Sequence, residues 1–121
     1  MTMFSRAWAV PYVLARQELE TILREYGFTL AAEALLPEAA SSAWAEYRRT
    51  GGRIRLEWDG AKHWLRLLSS AAGAQPATHQ WEDIEALLRE VPPVQMLTDT
   101  SLAHTRVNAL CSVLRRHLDR A

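Results

Sequence analysis

The sequence predicts a single α+β domain. It comprises an N-terminal helix, an antiparallel meander of three or four strands, and two C-terminal helices packed on one sheet face. Three observations carry this. Arg53–Leu68 alternates apolar and polar residues around an Asp-Gly turn. Residues 11–26 hold an apolar stripe at helical spacing. Two amphipathic segments close the chain after a small, polar stretch at Ser69–Thr78.

The N-terminal helix is expected over 11–26. Pro11 suits a first turn, where a missing N–H costs little. Tyr12, Ala15, Leu19, Ile22, Leu23 and Tyr26 then fall on one face, and Arg16, Gln17, Glu20, Arg24 and Glu25 on the other. Gly27 stands where a left-handed terminating glycine belongs, and Phe28 follows for the accompanying apolar contact. Phe4, Trp8 and Val10 upstream suggest a segment that packs onto something.

Residues 28–49 point two ways. Their Ala and Glu content favours helix. Pro37 disfavours helix at Leu36, and Arg48–Gly52 reads as a polar hairpin link into the next strand. Strands at 43–49 and 28–35 are therefore expected, completing a four-stranded meander.

In the next hairpin Ile54, Leu56 and Trp58 alternate with Arg53, Arg55 and Glu57. Asp59-Gly60 favours a two-residue type I′ turn, with a four-residue loop over 59–62 as the alternative. Both place Leu65 and Leu67 on the face of Ile54, Leu56 and Trp58. The two-residue register also sets Glu57 opposite Lys62 and Arg55 opposite Trp64. The second face then carries Arg53, Arg55, Glu57, Lys62, Trp64 and Arg66, and Trp44 joins it if the preceding strand pairs in phase.

Ser69–Thr78 reads as a loop or linker. A short helix is expected near Gln80–Glu90, with Trp81, Ile84, Leu87, Leu88 and Val91 inward and Glu82, Asp83 and Glu85 favouring its N-terminal dipole. Pro92-Pro93 stops it. The last helix starts after Thr100 or Ser101, with Val107, Leu110, Cys111, Leu114 and Leu118 as its stripe.

Chemistry-bearing motifs are sparse. No two of His63, His79, His104 and His117 share an i, i+4 spacing, and no paired CxxC is present, so no metal or other cofactor is implied. Cys111 lies in an apolar stripe, the place of a small hydrophobe and not of a nucleophile. Glu46 and Glu57 sit among arginines and read as ion-pair partners. Arg106, Arg115, Arg116 and Arg120 read as a solvated helix end, and a net charge of zero makes nucleic acid an unlikely partner. One cysteine excludes an internal disulfide and fits a cytoplasmic setting. No run of 18 apolar residues suggests a membrane span. Ala7–Ala15 mimics a signal-peptide core, but Pro11 interrupts it and no small-residue cleavage site follows.

The segment SAWAEYRRTGGRIRLEWDGAKHWLRL resembles the central part of small, mostly uncharacterised bacterial α+β proteins. These share a strand, a polar turn and an RLxWDG hairpin behind an N-terminal helix. The likeness covers about residues 41–68 and, loosely, the helix at 11–26. Thirteen of the fourteen basic residues are Arg, a bias consistent with a GC-rich bacterial source. Some proteins of that build act as immunity proteins for secreted toxins, or as accessory proteins of such systems. The resemblance implies no catalytic residue. The expectation is a non-enzymatic protein-binding module using Trp44, Arg53, Arg55, Trp64 and Arg66. The alternatives are a homo-oligomeric scaffold, starting with a homodimer, and a small enzyme whose site is scattered in sequence.

Overall fold

The computed structural model describes residues 6–36, 42–71, 81–87 and 100–120. At its centre is strand β3, Gly52–Asp59, in which Ile54, Leu56 and Trp58 are buried and Arg53, Arg55 and Glu57 face the other way. Strand β2 (Ser42–Arg49) pairs antiparallel along one side of it and strand β4 (Trp64–Ala71) along the other. Strand β1 (Thr29–Leu36) lies outside β2, and strand β5 (Glu82–Asp83) outside β4. The sheet order is β1-β2-β3-β4-β5, so there are five strands where three or four were expected.

Propensity loses to pairing in 28–49. Thr29–Leu36 is Ala- and Leu-rich, yet it forms a strand because β2 offers a full ladder from Leu36↔Ser42 to Thr29↔Arg48, with an irregularity between Leu30 and Ala32. Gly51 closes the β2–β3 turn with a left-handed φ of 99°.

Helix α1 runs Arg6–Glu25, not from Pro11. Pro11 falls in its second turn and removes one backbone hydrogen bond. Pro11 and Tyr12 are both buried, so packing holds the turn that proline weakens. The packing expected of Phe4, Trp8 and Val10 lies outside the described side chains. The C-terminus ends as expected: Gly27 has φ 87°, its N–H donates to the Arg24 carbonyl, and the Phe28 N–H donates to the Leu23 carbonyl. Arg49 covers the same end, donating to the Tyr26 carbonyl at 2.7 Å while lying over the Phe28 ring.

Helix α3, Thr100–Arg120, lies beside α1 over the apolar sheet face. Tyr12, Leu19, Leu23, Leu110 and Leu114 join Ala45, Tyr47, Ile54, Leu56, Trp58, Leu65 and Leu67 in one core. Tyr26 donates to Asp119 and Arg115 pairs with Glu25, so the C-terminal ends of the two helices meet.

The C-terminal region departs most from expectation. Ser69 and Ser70 belong to β4, not to a linker, and residues 72–80 lie outside the description. Glu82–Asp83 is a strand, followed by a one-turn helix α2, Ile84–Leu87, where a longer helix was expected. Ile84 is buried, but Leu87 is exposed. Leu88, Val91 and Pro92-Pro93 fall outside the described residues.

Arg106 is also relocated. It is 7 % exposed and therefore no part of a surface patch. Its guanidinium donates to both oxygens of buried Glu85, at 2.7 and 2.6 Å, and to the Leu65 carbonyl at 2.8 Å. One side chain thus ties α3 to α2 and to β4. Removing a single partner from such a pair strands a buried charge. Arg106→Met should therefore lower stability by about 3–5 kcal/mol in urea denaturation, and adding Glu85→Leu should restore a large share. A single-variant cost below about 1 kcal/mol would reduce the pair to the standing of a surface bridge.

Candidate partner-binding face

The β3–β4 hairpin decides what the second sheet face displays. The observed ladder is Asp59↔Trp64, Trp58↔Leu65, Glu57↔Arg66 and Leu56↔Leu67. The connection is therefore the four residues Gly60–His63, not Asp59-Gly60 or 59–62. The Asp59 carboxylate explains the shift, since it accepts from the N–H groups of Ala61 (3.0 Å) and Lys62 (3.1 Å). The Gly60 N–H donates to Ser42 Oγ on β2 at 3.1 Å. The left-handed residue is His63 (φ 55°), whose ring meets Trp58 edge-on at 5.8 Å. Parity is unchanged, so the faces stand as expected while the expected cross-strand pairs do not. Lys62 does not meet Glu57; it lies 4.7 Å from the Trp64 ring centre.

Four rows build the face. Asp59 and Trp64 form the one nearest the hairpin loop. Trp44, Glu57 and Arg66 form the next across β2, β3 and β4. Glu46, Arg55, Leu68 and Asp83 form the third, and Arg48, Arg53 and Ser70 the fourth. Neither long helix contributes core residues to this side.

Glu57 holds Arg66 at 2.8 Å and Arg55 at 3.4 Å. Glu46, itself buried, holds Arg48 at 2.7 Å and Arg53 at 3.7 Å. Four guanidinium groups thus pair with two of the carboxylates, and Asp59 and Asp83 on the same face balance the remaining charge. Arg55 lies 4.1 Å from the Trp44 ring centre and 5.7 Å from that of Trp81. Stacking of this kind stiffens a planar guanidinium and holds the indoles in place.

The five expected residues do not form one cluster. Trp44, Trp64 and Arg66 gather around a shallow hollow of about 180 Å³, together with Leu36, Glu57 and Asp59. Arg55 lies beside it, stacked on Trp44. Arg53 lies two residues further along β3 and lines a different hollow, with Arg49, Ser69, Ser70, Glu82 and His117. Trp81 was expected inward on a helix; the structure sets it beside Arg55, ahead of β5. A two-residue strand is too short to show a period, so no sequence signal marked it.

Cys111 is half-buried against the core rim, and burial, with Glu18 nearby, pushes its thiol pKa up. Such a thiol is a poor nucleophile. Under the helices, Tyr47 donates to Glu20 at 2.9 Å, and burial pushes its hydroxyl up to about 12. Among the described residues, no three His, Cys, Asp or Glu side chains come together as metal ligands, and no helix is long and apolar enough to cross a membrane.

No protein-family model matches the chain, and comparison with curated proteins and with solved structures likewise finds no significant match.

His117 gives a pH signature. Burial lowers its pKa, and the charges of Arg120 and Arg49 lower it further. A histidine depressed on folding stabilises the fold above its unfolded pKa and loses that contribution as pH falls through the folded value. Unfolding midpoints should therefore drop between about pH 7 and pH 5. His117→Gln should flatten part of that drop, and an unchanged slope would show that His117 has no share in it.

Proposed function

We propose that this chain is a non-enzymatic protein-binding module that engages its partner through the Trp44–Trp64–Arg66 hollow and the arginines around it. One observation carries the reading. The sheet has two faces, both long helices cover one, and the other presents tryptophans and arginines gathered around a recess. Trp and Arg are among the side chains most enriched in interface hot spots, Trp for its large rigid contact area and Arg for its planar, multiply donating guanidinium. Prior stacking of Arg55 on Trp44 reduces the ordering cost that an arginine otherwise carries into an interface. Alternating guanidinium and carboxylate groups around the hollow fit a partner with complementary charges and an apolar projection for the recess. The resemblance of the 41–68 segment to small bacterial α+β proteins supports a role as an immunity-type or accessory protein of a toxin or secretion system.

The test is a nuclease-treated pull-down from source cells with tagged protein, followed by affinity measurement on the recovered complex. Wild type should retain a stoichiometric partner. Trp64→Ala should weaken it by about 2 kcal/mol, on the order of thirtyfold in Kd, and Arg66→Glu should act in the same direction. Both variants should keep the wild-type circular dichroism. A folded Trp64→Ala protein with unchanged affinity would place the interface elsewhere.

A further inference from the structure

The two edges of the sheet are protected very differently. On one side β5 covers only Leu68 and Ser69 of β4; its two residues are acidic and Arg106 occupies the Leu65 carbonyl, features that discourage further pairing there. The β1 edge is eight residues long, contains no Lys, Arg or Pro, and has no described strand along its outer side. Among the described residues four large hydrophobic side chains are exposed, and three of them, Leu30, Leu35 and Leu36, lie on β1. Its single charge, Glu33, is already engaged. Tyr12 donates to it and Arg16 lies 3.2 Å away. An exposed apolar edge of this length is a template for another strand.

We propose that a second copy of this chain pairs antiparallel with β1 through Ala32–Leu36, making one continuous ten-stranded sheet across a two-fold axis at Ala34. The occupant follows from self-complementarity. The irregularity between Leu30 and Ala32 ends the regular ladder, leaving Ala32–Leu36 as the flush segment. Centred on Ala34, an antiparallel two-fold sets Leu36 opposite the second copy's Ala32, Leu35 opposite its Glu33, and Ala34 opposite its Ala34. Each pair keeps its side chains on one face, as pleat parity demands. Ala32, Ala34 and Leu36 then form an unbroken apolar row with their copies. Each Glu33 meets only the aliphatic Leu35 and retains its own Arg16. The net charge is zero, so two copies meet without long-range repulsion. Leu36 also lines the Trp44–Trp64–Arg66 hollow, so pairing places the two candidate binding faces side by side. The inference does not depend on the binding role proposed for that face.

Two measurements decide it. Wild-type protein is sedimented at submillimolar concentration, where a dimer is expected that Leu36→Lys abolishes. Single cysteines are then placed at Ala34 or at Ala32 in a Cys111→Ser background and oxidised mildly. Opposed antiparallel residues have Cα atoms about 4.5–5.5 Å apart, inside the disulfide range. The two copies of residue 32 would be offset along the strands by four residues, roughly 13 Å, which is outside it. Ala34→Cys should cross-link and Ala32→Cys should not. A wild-type monomer overturns the proposal, as does a dimer in which both positions cross-link equally or neither does.

Discussion

Burial of Ile54, Leu56 and Trp58 beneath α1 and α3 is the constraint from which the rest of the molecule follows. β3 is the middle strand, so its parity passes to both neighbours. Ala43, Ala45 and Tyr47 go down with it on β2, and Leu65 and Leu67 on β4. The remaining positions then have one place to go. Arg53, Arg55, Glu57, Trp44, Glu46, Trp64 and Arg66 are turned to the opposite face by the same alternation that makes the core. A slip of one residue would bury guanidinium groups and expose the core, an outcome that hydrophobic burial forbids. The candidate binding surface is therefore a by-product of folding, placed without any dedicated loop.

Other interactions secure the helices over this frame. Gly27 and Phe28 terminate α1 and Arg49 locks that terminus to the end of β2. At the far side of the sheet, Arg106 reaches Glu85 and the Leu65 backbone. A buried ion pair adds little net stability compared with well-packed hydrophobes, but it is intolerant of a missing partner. It therefore specifies which way α3 and the short α2 must sit.

How much of this was legible depended on whether a local pattern was long enough to read. Helix α1, its glycine terminus and the two faces of β3 and β4 follow from periodicity over many residues. The strand at 42–49 follows from its hairpin link. The exact pairing of β3 with β4 did not, because Asp59 caps the turn through its side chain and the left-handed residue is His63, which no Asp-Gly rule anticipates. Arg106 was misplaced because a lone arginine on a helix looks solvated until its carboxylate, 21 residues away, is folded against it. β5 is two residues long and offers no period at all. The candidate face was legible as a face, since parity survived the register change. Its division was not: the recess collects Trp44, Trp64 and Arg66 and leaves Arg53 outside. The strand at 28–35 was expected, against its Ala-rich composition, because Pro37 and the hairpin link argued for pairing; its exposed leucines show only in the folded sheet.

The central claim is that one sheet face is core and the other is a surface kept for a partner. Hydroxyl-radical footprinting of the tryptophans, read by mass spectrometry on purified protein and in source-cell lysate at matched radical dose, tests it most directly. The account predicts Trp58 protected in both samples, and Trp44 and Trp64 reactive in the purified protein but protected in the lysate. A reactive Trp58, or Trp44 and Trp64 equally reactive in both samples, would contradict it.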